Sequence, residues 1–228
     1  MSDHSDNPSS AENLAATTGS KSPFDRAAQS WDDNPVRVEL AVTVAEAMAH
    51  EIPLAPQMQI MDFGCGTGLI ARSLAPQVRL VMAADTSAEM LAVLETKAKA
   101  IGLTGIQPLL LDDQHTSHNA VCYDAIVSSM VLHHIEDIPK LFRQLAQWCR
   151  PGGWVALADL EPEDGTFHRG AQAVVHPGFD PAALAAQLEA LGFVTKSVRT
   201  VHTIQRPPAE GGALKNYPVF LLVAQRGQ

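Results

Sequence analysis

Residues 60–68 read Ile60-Met61-Asp62-Phe63-Gly64-Cys65-Gly66-Thr67-Gly68, an apolar run that enters an acid and then places glycine at every second position. The run has the composition of a buried strand. The glycines after it mark a turn whose backbone a ligand can touch, because no Cβ stands in the way. A glycine turn between strand and helix is the usual opening of a βαβ unit. The dinucleotide pattern G-x-G-x-x-G, counted from Gly64, needs a small residue at position 69, where the chain has Leu69. Asp62 would also set negative charge beside a diphosphate, whereas it suits a ligand that carries cations.

The next acids fall at matching intervals. Val78 to Ala84 is a mostly apolar stretch that ends in Asp85, 21 positions after Gly64, and Thr86-Ser87 then opens a helical pattern. That distance brings the end of a second strand beside the glycine turn, where a carboxylate can accept the two hydroxyls of a ribose. A third run, Ile106 to Leu111, ends in Asp112-Asp113. A fourth, Tyr123-Asp124-Ala125-Ile126-Val127-Ser128-Ser129-Met130-Val131, leads into Leu132-His133-His134, and Arg150-Pro151-Gly152-Gly153 precedes a fifth, Trp154 to Asp159.

Five motifs in this order, spanning residues 58–160, resemble the class I S-adenosylmethionine-dependent methyltransferases, and in particular the small-molecule group similar to the ubiquinone and menaquinone biosynthesis enzymes. The resemblance implies an α/β fold, Rossmann-like, with a seven-stranded sheet that is mostly parallel, an antiparallel last strand and helices on both faces. It implies S-adenosylmethionine as cofactor and S-adenosylhomocysteine as product. The cofactor would be held by Asp62, Phe63, Gly64, Cys65, Gly66, Gly68, Asp85, Thr86 and Ser128, with Asp112 or Asp113 taking the adenine. Phe24, Ala28, Trp31 and Asp32 match the family's aromatic N-terminal lid, placed at residues 23–51.

Such a cofactor is already activated, so the protein has mainly to align the acceptor and exclude water. A base is needed only where the attacking atom carries a proton. His133 and His134 are the candidate bases, or else positioning groups; Phe24, Trp31, Met130, Glu161 and His168 are candidate substrate contacts, and Asp159 and His176 lie on the same loops. Another transferase on the same cofactor scaffold, and a cofactor-binding module without turnover, remain open alternatives.

The chain has 228 residues, 46% of them hydrophobic, enough for one full core in residues 23–228. Residues 1–22 are polar and aperiodic and are expected to form a disordered tail. A net charge of −9 without a lysine or arginine cluster argues against a nucleic acid partner and leaves a small-molecule substrate. Ser128-Ser129-Met130-Val131 is not the Asn/Asp-Pro-Pro-aromatic run of base-amino methyltransferases, and Asp159-Leu160 lacks the Asp-Asn metal pair of catechol-type relatives. The histidines show no zinc spacing, so no metal is expected. Three scattered cysteines, no secretory leader and no membrane-length apolar run give a cytoplasmic expectation.

Periodicity places helices at roughly 36–50, 67–75, 87–101, 136–148 and 180–190. Two further strands, Phe193 to Gln205 and Tyr217 to Gln225, are separated by a Pro- and Gly-rich link and should pair antiparallel.

Overall fold

The computed structural model describes residues 21–111, 122–168, 174–207 and 213–228. Most of the expected tail, residues 1–20, lies outside the described residues, as do Asp112 and Asp113. The described chain starts with helix α1 (Pro23–Ala27), a 3-10 turn (Ala28–Asp33) and helix α2 (Pro35–Glu51). Then follow β1 (Gln59–Phe63), α3 (Leu69–Leu74), β2 (Leu80–Asp85), α4 (Ala88–Ala100), β3 (Ile106–Leu110) and β4 (Tyr123–Ser129). The last half holds α5 (Ile138–Trp148), β5 (Cys149–Leu160), α6 (Pro181–Glu189), β6 (Phe193–Arg206) and β7 (Lys215–Arg226).

Among the described residues, seven strands form one sheet in the order β3-β2-β1-β4-β5-β7-β6. The first five are mutually parallel, and β7 runs antiparallel to both β5 and β6, as the turn-linked pair required. The order reverses between β1 and β4, which opens a crevice at the carboxyl ends of those strands.

The central strands are apolar on both sides because helices cover both faces. One core joins Ile60, Val81, Val127 and Leu221 to Leu40, Val44 and Met48 of α2 and to Ile70 and Leu74 of α3. The opposite core joins Met61, Ile126, Leu157 and Leu222 to α5 and α6. In α5 the buried residues are Ile138, Leu141, Phe142, Leu145 and Trp148, the i, i+3, i+4, i+7 spacing of a helix that presents one apolar stripe. Phe142 is fully buried there, so Phe142→Ala is expected to cost about 3–5 kcal/mol of stability, read from urea unfolding. A loss under about 1 kcal/mol would mean that α5 is not packed as described.

Helix starts fall where the side chains can cap them. Ser22 accepts from the Asp25 amide while Asp25 accepts from the Ser22 amide, and Asn34, Ser87, Asp137 and Asp180 each accept a first-turn N–H. The expected helix boundaries therefore shift by a residue or two. At 67–75, Thr67 and Gly68 remain in the turn and the helix begins at Leu69. Strand β5 also starts earlier than Trp154: Cys149 pairs with Tyr123 and Trp154 with Ala125, so Pro151-Gly152-Gly153 forms an irregularity within the strand. Asp124 accepts the Gln59 amide at 2.6 Å, which ties the entry of β4 to that of β1.

Candidate active site

A cavity of about 620 Å³ opens at the β1/β4 crevice. Its floor is the glycine turn. Gly64 and Cys65 donate their amides to the Ala84 carbonyl, and Gly66 donates to Asp85 Oδ2 at 2.7 Å. The glycines divide the work. A Cβ on Gly64 would meet Val131 at 2.4 Å and one on Gly68 would meet Leu94 at 2.5 Å, so these two permit close packing. At Gly66, with φ +53°, a Cβ would meet nothing within 4 Å, and the residue faces the open cavity.

Asp62 is buried at the end of β1, and its Oδ2 has no hydrogen-bond partner. Burial pushes its pKa from an ordinary 3.8 up to about 7; an N–H from Ala71 works against the rise and the Asp85 charge adds to it. A buried orphan carboxylate oxygen at the lip of a cavity fits a cationic ligand group. Asp85 uses Oδ2 on Gly66 and Oδ1 on the Ser87 amide, and burial raises its pKa too. Each of its oxygens still has a lone pair for a hydroxyl. Phe63, Cys65, Thr86 and Leu111 also line the cavity, with burial holding the Cys65 thiol well above its ordinary range and hence neutral. The residues present fit the ammonium and ribose of S-adenosylmethionine, the cofactor of the family named above. Two expected contacts lie elsewhere: Ser128 Oγ donates to the Phe63 carbonyl inside the sheet, and Gly68 packs beneath α4. Neither lines the cavity; Ser129 does.

Asp62 carries a testable stability signature. Because its folded pKa lies above the unfolded value, the folded protein holds an extra proton between about pH 4 and pH 7, so its stability is lost as pH rises through that window. Asp62→Asn removes this term. At about 1.4 kcal/mol per unit, the variant without ligand is expected to gain on the order of a few kcal/mol over the wild type at pH 8 but not at pH 4. Urea unfolding of both proteins at the two pH values measures it; an equal difference at both would contradict the raised pKa.

The N-terminal segment closes one side of the cavity. Phe24 and Trp31 stand with centroids 6.1 Å apart, and Phe24 meets His134 edge-on at 5.2 Å. Two carboxylates fasten the segment: Asp25 accepts from Ser87 Oγ at 2.5 Å, and Asp32 accepts from Thr67 Oγ1 at 2.5 Å, Arg72 at 3.0 Å and Lys97 at 2.6 Å. Lid and glycine turn are thus joined by direct bonds.

The cavity is also lined by three imidazoles, His133, His134 and His168, with ring centroids 4.1–5.6 Å apart. Asp159 at the end of β5 accepts from His133 Nδ1 at 2.6 Å and from the amides of His133 and Leu160, and both side chains are buried. A carboxylate on Nδ1 fixes that nitrogen as the donor and leaves the Nε2 lone pair free for other work. This pairing is absent from the sequence reading, which treated the two residues separately. Burial first, with smaller electrostatic contributions from His133, His134 and Arg206, pushes the His168 pKa down to about 4, so His168 is neutral at pH 7. Met130 lines the cavity with φ +59°, a strained conformation for a residue with a side chain.

Glu161, an expected substrate contact, does not line the cavity: its carboxylate accepts from Thr200 Oγ1 and its amide donates to the Pro218 carbonyl, both away from the crevice. His176 is engaged with the Ile135 carbonyl at 2.9 Å. Phe167, in the loop that runs to His168, lines the cavity, as do Arg37, Arg206 and Ile204, which nothing in their sequence surroundings singled out. Among the described residues no group of three metal-ligating side chains is placed to hold an ion, and no described helix is long and apolar enough to cross a membrane.

Known proteins agree with this architecture. A family model described as "Methyltransferase domain" matches residues 38–198. Trans-aconitate 2-methyltransferase of Deinococcus radiodurans is 33% identical over 183 residues, covering 70% of this chain and 68% of that protein. A ubiquinone biosynthesis O-methyltransferase of Vibrio vulnificus is 30% identical over 129 residues, 56% of this chain and 51% of its own. The chain thus spans about half to two thirds of the length of these relatives. Among solved structures, a DhpI–SAH complex has the same fold, with a TM-score of 0.66, 23% identity and coverage of 90% of this chain and 93% of that one. With a family match over more than half of its length on a sheet of this order, the chain belongs to the class I S-adenosylmethionine-dependent methyltransferases.

Proposed function

We propose that the protein methylates a small-molecule acceptor by in-line transfer from S-adenosylmethionine. The observation that carries this reading is one cavity lined both by the Gly66 turn, Asp62 and Asp85 and by the Asp159-held His133. When bound, the cofactor supplies an activated methyl group on a sulfonium, and transfer returns the electron pair to sulfur. The chain's own residues do the rest. Asp62 and the Gly66 face seat the methionine portion, Asp85 the ribose, and Asp112 or Asp113 the adenine. Residues 23–51 act as a lid, with Phe24 and Trp31 excluding water from the acceptor. His133 Nε2 receives the proton of a hydroxyl acceptor, while Asp159 holds the ring and stabilises the imidazolium. His134, His168 and Met130 shape the acceptor wall, and a compact substrate suits the cavity's size.

The named relatives act on a small carboxylic acid and in a quinone pathway, which supports small acids and phenols as the first acceptors to screen. The test is incubation with methyl-labelled cofactor and a panel of trans-aconitate, other small carboxylates, phenols, quinols and amines, read by mass spectrometry. A labelled product is expected. Tight cofactor binding with no product from any class, or from a cell metabolite extract, would favour the cofactor-binding module instead.

A further inference from the structure

His133 and Asp159 come from different parts of the chain, and the bond of 2.6 Å between their buried side chains needs both backbones held. Asp159 is fixed by the sheet, since β5 pairs with β7 there and sets Asp159 opposite Phe220. His133 has no such support. The pairing of β4 with β5 ends at Ser129 and Ala158, followed only by a bond from the Met130 amide to the Ala158 carbonyl. The chain then leaves the sheet, with Met130 at φ +59° and Leu132–His134 in a 3-10 turn.

A third segment, residues 175–179, joins the two. The amides of Val175 and His176 both donate to the His133 carbonyl, at 2.9 Å and 3.2 Å. His176 Nε2 lies 2.9 Å from the Ile135 carbonyl, which can only accept, so this nitrogen carries the proton. On the Asp159 side, the Phe179 amide donates to the Leu160 carbonyl at 2.8 Å and the Glu163 amide to the Pro177 carbonyl at 2.9 Å. Between these bonds Gly178 lies directly on the exit of β5. Its φ is +79°, and a Cβ there would fall 2.1 Å from the Glu161 carbonyl oxygen, so only glycine allows the approach. The rings of His176 and Phe179, with centroids 5.0 Å apart, close the segment on itself. Among these hydrogen bonds only that of His176 Nε2 comes from a side chain.

From this we infer that residues 175–179 are a strap that positions His133 on Asp159, with His176 as its anchoring side chain. The inference rests on the reading of His133 as the acceptor's base. His176 does not line the cavity, so it is a positioning residue that acts through His133. Without its bond the turn at Ile135 is released, the Nδ1 contact with Asp159 loosens, and Nε2 no longer keeps one direction toward the acceptor.

The test is proton NMR of the full chain carrying isotope-labelled histidine, which reads the His133 Nδ1–H directly. A ring N–H bonded to a buried carboxylate resonates far downfield and exchanges slowly with water, and its disappearance in His133→Ala identifies it. The wild type is expected to show the signal. In His176→Leu, which keeps the bulk but cannot donate, its exchange should quicken by about 10-fold or more. His176→Gln, which restores a donor, should return it toward the wild-type rate. Gly178→Ala, which lifts the strap from β5, should act as leucine does. Thermal melts establish folding, and S-adenosylhomocysteine affinity should stay within about twofold throughout, because the strap is separate from the glycine turn. If His176→Leu does not fold, the comparison of Gly178→Ala with the wild type decides. An unchanged exchange rate in the folded His176→Leu or Gly178→Ala variant, or equal loss in His176→Gln, would overturn the inference. Absence of the signal from the wild type would overturn it together with the His133–Asp159 pair, whereas wild-type kcat in His133→Ala would strike the base reading alone.

Discussion

Gly66→Val is expected to leave the protein folded and to eliminate its stabilisation by S-adenosylhomocysteine. The position has room for a side chain, with no atom within 4 Å of a Cβ, so the core is not disturbed. The cost in the free protein is the φ of +53°, which a β-branched residue tolerates poorly, on the order of 1–3 kcal/mol. The valine then fills the space above the turn in which the cofactor would lie. Gly64→Val is the contrasting variant: its Cβ falls 2.4 Å from Val131, so packing is disrupted along with binding. Thermal melts with and without saturating S-adenosylhomocysteine separate the two. The wild type should gain several degrees on saturation and Gly66→Val none. A full ligand-induced shift in Gly66→Val would remove the turn from the cofactor site.

His133→Ala should lower kcat by about 10²- to 10⁴-fold on a hydroxyl acceptor, the range that a positioned general base supplies. On a carboxylate acceptor the attacking oxygen has no proton to lose, and the loss should be far smaller. Asp159→Asn tests the same device from behind: it keeps the shape but loses the charge that fixes His133 Nδ1 as donor and stabilises the imidazolium. Its kcat should fall in the same direction, with S-adenosylhomocysteine affinity nearly unchanged in both variants, because neither residue belongs to the glycine turn. Steady-state kinetics on a hydroxyl acceptor from the screen supply the comparison; wild-type kcat in His133→Ala on such an acceptor would exclude it as the base.

The fold was legible because its signals are local. Alternate glycines after Ile60 to Phe63, acids at the ends of apolar runs, and a turn-rich link between the last two strands each constrain a short stretch of chain, and together they point to a mostly parallel sheet with its last strand reversed. The end of the turn was less legible: Gly68 looks helical by position but adopts a left-handed conformation as the cap of α3. Cofactor-side residues were equally easy to nominate, since they follow the strand ends in order. Ser128 shows the limit, because period-two alternation leaves open which of two adjacent serines faces the cavity, and it is Ser129 that does.

The acceptor side was poorly legible because it is assembled from distant segments. His133 and Asp159 meet only because β4 and β5 are parallel neighbours, a pairing that no spacing rule reveals. Arg37 sits in an ordinary helical turn and Arg206 at a strand end, and only the folded lid and the β6 edge bring them to one cavity. Glu161 illustrates the converse: it follows β5 closely, as a site residue should, but its carboxylate turns toward Thr200 on β6.

The central claim is that the Gly66 turn, Asp62 and Asp85 form a site for S-adenosylmethionine and its product. Calorimetric titration of the full chain with S-adenosylhomocysteine, against a parallel titration with NAD, tests it most directly. One saturable site per chain for S-adenosylhomocysteine and no heat with NAD is the result expected; NAD binding in preference, or no S-adenosylhomocysteine binding to a protein shown by its melt to be folded, would contradict it.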